Sequence, residues 1–343
     1  MNKMRYVDKN ILCMYDFEEE FFQILGLTVQ DIVPLRKVFV LFTDKGKKIL
    51  KLIDSSDERI DFINKSLKYI EKSFENVLKY YENINGDIVT NWNGKRYVVL
   101  ELLIGRECAF TNPIEIDLCT KAISEMHIAS KGLINTLTEE EIENHSAENL
   151  LDKMIREKKY LIKIEEFVKK YKYKNKFDKL FLDNIDLVKK DLDKSITLIN
   201  SSEYSNLIKN RKNLVLCHND LAHHNFIIDN DEVKIIDFDY CKLDIKIMDI
   251  YNYIIKAIKN LGYSKETMDN ILKVYNENLR INKDEAYILN SLLHYPKDFI
   301  SIALLYYFKG KEWDEAAFIS KIENKIELDE FRRELIENIK KNK

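Results

Sequence analysis

Proline and glycine are scarce in this chain, at three and eight of 343 residues. No Pro-, Gly- or Ser-rich stretch, low-complexity tract or internal repeat interrupts it. That excludes a flexible linker and predicts parts that touch directly across a short hinge. The cysteines, Cys13, Cys108, Cys119, Cys217 and Cys241, are five in number and include no CxxC pair. An odd count without close spacing excludes a disulfide framework and a structural zinc cluster, and predicts a reducing compartment. Cys217 and Cys241 flank one segment, but spacing alone implies no bond between them. Long apolar runs are missing too: the strongest is Tyr97 to Gly105, well short of the roughly 18 residues a membrane-spanning helix needs. In MNKMRYVDKNILCMYDFEEE charges interrupt any apolar stretch, so neither export by a leader nor transmembrane contact is expected.

A dominant charge is likewise absent. Fifty-five basic and 58 acidic side chains leave a formal charge of -3. This gives no general field for nucleic acid or an anionic membrane, and no nucleic-acid partner is expected. What the chain does have is apolar content, 45% of residues, enough for one large core or two smaller ones.

A short helix is expected around Phe17 to Leu25, followed by strands at Arg36 to Thr43 and Lys47 to Ile53 with Asp44 to Gly46 as the hairpin turn. Lys51 lies in the second strand, where Leu50 and Leu52 share the opposite face; a lysine so placed can point across a cleft toward phosphate. From Glu58 to Glu82, Ile63, Leu67, Ile70, Phe74 and Leu78 recur at helical spacing. A strand follows at Tyr97 to Leu103, and Ile104 to Arg106 reads as the break before a helix-rich remainder. In that remainder helices are expected at Glu115 to Ala129, Asn149 to Tyr173, Met248 to Lys259, Lys265 to Leu279 and Ala303 to Phe308, with a turn at Pro296. The Lys-rich run Lys158 to Lys176 reads as an exposed helix face, with a docking surface for an acidic partner as the alternative.

The chemistry concentrates in Leu214 to Ile250. Leu214 to Cys217 leads into a loop with His218, Asp220 and Asn225. Two short strands, Phe226 to Ile228 and Val233 to Ile236, then return the chain to Asp237. Phosphoryl transfer needs negative charge neutralised and an attacking hydroxyl held in line. Asp220 suits the orientation of that hydroxyl, while Asn225 and Asp237 offer oxygen ligands to magnesium. His218, His223 and His224 lie close together, but neither HExxH nor a Cys/His series accompanies them, so loop structure and packing are preferred over zinc.

These segments resemble the aminoglycoside phosphotransferase and choline kinase superfamily. More narrowly they look like the CotS group of spore-coat kinase-like proteins, through LELLIGRECAFTNP at Leu100 to Pro113, ISEMHIAS at Ile123 to Ser130, CHNDLAHHNFII, IIDFDYCKLDIKIMDIYNYI and YPKDFISIALLYYFKGKEW at Tyr295 to Trp313. The resemblance implies an α+β, two-lobed, protein-kinase-like fold. Residues 1–103 would form a small β-rich nucleotide-binding lobe including the hinge strand, and 104–343 a larger, mainly helical catalytic and acceptor-binding lobe.

It further implies ATP and Mg2+ as cofactors, with Asp220 as catalytic aspartate, Asn225 and Asp237 as metal ligands, and Lys51 with Glu101 and Leu103 of the hinge strand as nucleotide contacts. Glu58 and Asp61 are the candidates for the acid that pairs with Lys51. His127 would buttress the catalytic region, His218 belongs to the catalytic loop, Asp239 either orients that loop or meets the metal indirectly, and Asp249 stabilises the catalytic segment. Where the family loop often has Gly and His, this chain has Asn219 and Ala222, and the small lobe lacks GxGxxG. The implied acceptor is an unidentified hydroxyl-bearing small molecule or saccharide. The implied setting is a spore-forming bacterium, with assembly into the spore coat among coat proteins. A catalytically weak or inactive kinase-fold coat assembly protein is the alternative.

Overall fold

The computed structural model describes residues 17–35 and 38–341. The chain folds as two compact units, one formed up to Glu107 together with Phe226–Asp239, the other by Cys108–Asn225 and the chain from Tyr240 onward. The first is rich in strands and the second in helices, the two-lobed protein-kinase-like arrangement. The sequence placed the division after residue 103 and the segment 226–239 in the larger lobe. The packing instead puts the boundary after Glu107 and gathers that segment into the first unit. Backbone pairing is the reason: Phe226–Asp229 pairs with Arg106–Glu107.

In the first unit helix α1 (Glu19–Ile24) precedes strands β1 (Val29–Leu35), β2 (Val38–Thr43) and β3 (Gly46–Ile53). After helix α2 (Asp57–Ile70) come β4 (Tyr80–Tyr81), β5 (Val89–Trp92) and β6 (Lys95–Glu101). The sheet order is β1-β2-β3-β6-β4, with β5 also paired to β6. Leu41, Leu50, Tyr97 and Val99 on one sheet face bury against Phe21 and Leu25 of α1. Alternation along the strands supplies that face, which is why Leu50 is buried while its neighbour Lys51 projects the other way. The β2–β3 turn uses Gly46 at φ 85°, a conformation glycine adopts without steric cost.

Two sequence expectations change here. β1 was missed because Asp31 and Pro34 break its apolar alternation; it is an edge strand, where proline is tolerated. The helix expected over residues 58–82 ends at Ile70. Phe74, Val77 and Leu78 are buried, but Val77 bridges Ile235 in strand fashion. Their apolar spacing therefore reflected burial and not a continuing helix. Arg36 of the first expected strand, and the first sixteen residues with Cys13 among them, lie outside the described residues.

A second sheet in this unit joins β7 (Arg106–Glu107), β9 (Phe226–Asp229) and β10 (Glu232–Ile235) in the order β10-β9-β7. Gly105 has φ 141°, and a Cβ there would lie 2.6 Å from the Ile228 carbonyl oxygen. Glycine is what lets the connection pass so close to β9.

The second unit contains α3 (Pro113–Ala129), α4 (Glu139–His145), α5 (Leu150–Lys170), α6 (Lys176–Asn200) and α7 (Tyr204–Lys209). β8 (Leu214–Cys217) and β11 (Lys242–Ile245) form an antiparallel pair, followed by α8 (Lys246–Ile258), α9 (Lys265–Asn278), α10 (Lys283–His294), α11 (Lys297–Tyr307) and α12 (Glu315–Lys341). α3 packs on α9, and α6 packs on both α5 and α10. Buried Arg332 of α12 donates to Asp329, to the Leu293 carbonyl and to Asp191 of α6 at 2.7–2.9 Å. Desolvating that guanidinium costs least when every donor finds an acceptor, and the result ties three helices together. Among the described residues no helix is long and apolar enough to cross a membrane.

Candidate active site

The loop from His218 to Asn225 follows β8, and α8 holds it along a single stripe. Asp249, Asn252 and Lys256, at positions i, i+3 and i+7, share one helix face. Asp249 accepts from the His218 N–H at 2.6 Å and the Asn219 N–H at 2.8 Å. Asn252 donates to the Asn219 carbonyl at 2.7 Å, and Lys256 ion-pairs with Asp220 Oδ1. Three consecutive loop residues are thus gripped by three side chains spanning two helical turns. Asn219 sits at φ 63°; where the resemblance expects glycine, asparagine is the side chain that best tolerates the left-handed conformation.

Asp249 and His127 are both fully buried, with His127 Nε2 3.2 Å from Asp249 and Nδ1 2.8 Å from the Tyr275 hydroxyl. Both ring nitrogens and the carboxylate are therefore occupied. Cys217 completes a His/Cys/Asp cluster within 4.8 Å, but burial pushes its thiol well above its ordinary pKa, with Asp249 and Asp244 adding to the rise. Its Sγ lies 3.6 Å from the Ile245 carbonyl. These contacts make it a hydrogen-bonded core. Among the described residues Cys108, Cys119, Cys217 and Cys241 are in no disulfide.

Inside the loop, the Asp220 N–H donates to His218 Nδ1 at 3.2 Å, and the Asn225 side-chain amide donates to the Asp220 carbonyl at 2.7 Å. The second bond fixes the Asn225 amide so that its Oδ1 is the end left to act as a ligand. Asn225 is 2% exposed, whereas the Asp220 side chain is 32% exposed. Burial acts to raise the Asp220 pKa, but the Lys256 ammonium, assisted by His218 and His224, outweighs it and holds the carboxyl below its ordinary value. Asp220 is accordingly an ionised, weakly basic carboxylate, suited to aiming a hydroxyl more than to stripping it early.

In the first unit Lys51 Nζ lies 2.9 Å from Asp237 and 2.7 Å from Asp239. Burial alone would lower the Lys51 pKa; Asp239 and Asp237 reverse that and raise it. Asp237 stands at φ 65°, an uncommon position for a non-glycine residue and often a mark of a functional turn. Arg59 of α2 donates to the Asp239 carbonyl at 2.8 Å. The pairing of Lys51 with Glu58 or Asp61 is therefore corrected. Both acids are exposed on the first turns of α2, and it is Arg59 between them that reaches Asp239.

Glu101 pairs with buried Lys48 at 2.6 Å, its register partner across β3 and β6. Its carboxylate is therefore engaged, and its N–H donates to the Lys79 carbonyl at 2.9 Å. Leu103 is half-buried in the extended connection after β6. Sequence reasoning missed Lys256, Asn252, Arg59 and Lys48. For the first two a signal existed, the D-x-x-N-x-x-x-K spacing that places them on one helix face with Asp249.

Architecture and loop together define a protein-kinase-like chain. An aminoglycoside phosphotransferase from Alicyclobacillus acidocaldarius subsp. acidocaldarius is similar in fold with a TM-score of 0.82 at 14% identity, covering 96% of both chains. A spectinomycin phosphotransferase in complex with ADP and spectinomycin gives 0.66 at 14% identity, over 92% of this chain and 96% of that one. A Plasmodium vivax ethanolamine kinase gives 0.54 at 19% identity, over 88% and 81%. Among curated proteins none matches the sequence. The family profile for choline/ethanolamine kinase matches residues 114–331, and the chain belongs to that family.

Proposed function

We propose that the protein is an ATP-dependent phosphotransferase acting on a hydroxyl of a small molecule or saccharide. The observation that carries this reading is the loop His218–Asn225, in which an ionised, part-exposed Asp220 is locked by the α8 stripe. Family membership and the nucleotide complexes among structures of the same fold support it. In the reaction the acceptor oxygen forms a bond to the γ-phosphorus, and the bond from that phosphorus to the bridging oxygen breaks. ADP leaves with the electron pair, and the hydroxyl proton passes to the Asp220 carboxylate.

Within this reading the first lobe takes the nucleotide and the second the acceptor. Lys51 meets phosphate, with Asp239 keeping it in place, and the chain at Glu101 and Leu103 borders the base. Asp237 and Asn225 would hold Mg2+; a carboxylate and an amide oxygen are the hard donors that ion takes, so the residues fit it. When bound, magnesium neutralises phosphate charge. His127 and Asp249 act through the loop, as positioning residues.

The narrower resemblance adds a setting, assembly into the spore coat of a spore-forming bacterium. It rests on the resemblance of the segments quoted above, GRECAF and YPKDF foremost, and a fluorescent fusion that stays dispersed throughout sporulation would remove it. The enzymatic reading is tested by incubating the protein with magnesium ATP and a panel of sugars, amino alcohols and spore-envelope extracts, following acceptor phosphorylation by mass spectrometry. Phosphorylated product that disappears in Asp220→Asn is expected. A folded protein that binds no magnesium ATP would favour the non-catalytic coat assembly role instead.

A further inference from the structure

Asp220 is held through its backbone and through its side chain, and the two holds differ in kind. Its N–H donates to His218 Nδ1 at 3.2 Å, and its carbonyl accepts from the Ala222 N–H at 2.8 Å and the Asn225 side-chain amide at 2.7 Å. These bonds fix the chain at position 220, but they leave the carboxylate free to turn about its two side-chain torsions. On the carboxylate itself, Oδ1 pairs with the Lys256 ammonium. Oδ2 has the Asn225 amide nitrogen at 3.4 Å, a long contact beside the 2.7 Å bond that the same nitrogen gives the Asp220 carbonyl. Among the described residues no other side chain forms an ion pair with Asp220 or with Lys256.

The stripe on α8 divides its work accordingly. Asp249 and Asn252 take backbone atoms of His218 and Asn219, and Lys256, one turn further on, takes the side chain of Asp220. Both members of that pair are part-exposed. An ion pair so placed is screened by water and adds little to stability. What the ammonium does fix is the turn of the carboxylate, and with it which oxygen is left for a partner from outside.

From this division we infer that Lys256 is a positioning residue for phosphoryl transfer: by holding Oδ1 it presents Oδ2 of Asp220 to the acceptor hydroxyl. The inference rests on the phosphotransferase reading and deepens it. In the transfer the hydroxyl proton passes to Oδ2 while the acceptor oxygen bonds to the γ-phosphorus, and ADP leaves with the electron pair of the broken bond. Lys256 keeps its own protons throughout. A carboxylate displaced from the hydroxyl by about 1 Å costs on the order of 10²-fold in rate. Because Lys256 acts on the aim of the reacting group, its loss falls on kcat more than on KM.

The test uses the full chain with magnesium ATP, with glucose, ribitol and ethanolamine as alcohol probes and hydrolysis of ATP by water alongside them. Lys256→Gln should lower kcat by about 10- to 100-fold, with the KM for ATP and the urea-unfolding midpoint near their wild-type values. Lys256→Arg, which returns a cation to Oδ1, should recover most of the lost rate. In an Asp220→Asn background, Lys256→Gln should lower the residual rate by less than about threefold, because the two groups act as a unit. Full kcat in Lys256→Gln would overturn this inference and leave the phosphotransferase reading standing. So would an equal loss in the Asp220→Asn background, which gives Lys256 a task independent of that carboxylate. No turnover of magnesium ATP by the wild type, with any probe or with water, removes both.

Discussion

The loop carrying Asp220 and the cluster around Lys51 both rest on carboxylates, but they use them in opposite ways. Asp249, at the root of the loop, is fully buried and accepts from fixed backbone N–H groups. Asp237 and Asp239 have side chains 37% and 38% exposed, and both carboxylates pair with the flexible Lys51. A buried acceptor with immovable donors sets geometry, and removing it strands those donors. A part-exposed ion pair is screened by solvent and contributes little to stability. In the proposed phosphotransferase it would exchange partners when phosphate and a divalent cation arrive. On that reading the chain commits buried hydrogen bonds to the catalytic loop and exchangeable ion pairs to the phosphate side.

Four changes probe that contrast. The largest effect is expected from Asp220→Asn, which should cost about 10²–10⁴-fold in kcat with the fold intact by circular dichroism; full transfer in this variant would end the catalytic assignment. Lys51→Met should lower phosphoryl transfer by about 10²-fold, yet shift urea-unfolding stability by no more than about 1 kcal/mol. A large stability loss there would contradict the exchangeable character of the cluster.

Asp249→Ala reverses the pattern, and about 3 kcal/mol of stability should be lost in urea melts because buried donors are left without acceptors. A loss below about 1 kcal/mol would show that the loop is anchored elsewhere.

The smallest and most specific test concerns Asp244 of β11, whose pKa burial raises from 3.8 to about 7, against an opposing Ile245 N–H and with help from Asp249. The folded state keeps a proton that the unfolded chain releases above its own lower pKa, so this group's contribution to stability falls as pH rises from about 4 to about 7 and is flat above. Asp244→Asn should abolish that decline. Parallel pH profiles for variant and wild type would disprove it.

Much of this was legible in the sequence where the controlling interactions are local. The ribbon Phe226 to Ile236 was readable because two apolar runs flank an Asp/Asn turn, and the turn at Pro296 was legible, though α11 begins at Lys297, six residues before the expected Ala303. What escaped lay far along the chain. Lys256 meets Asp220 from 36 residues away and Asp237 meets Lys51 from 186, and periodicity carries no information about such pairings. Local pattern also misled at Phe74 and Leu78, whose burial serves packing outside a helix.

Strand β1 carries a further consequence. It is the outer strand of its sheet, and Pro34 pairs in register with Phe39 without an N–H to give. An intruding β-segment docking along that rim would meet a missing rung at Pro34. Proline on an outer strand is one of the means by which sheets discourage edge-to-edge pairing.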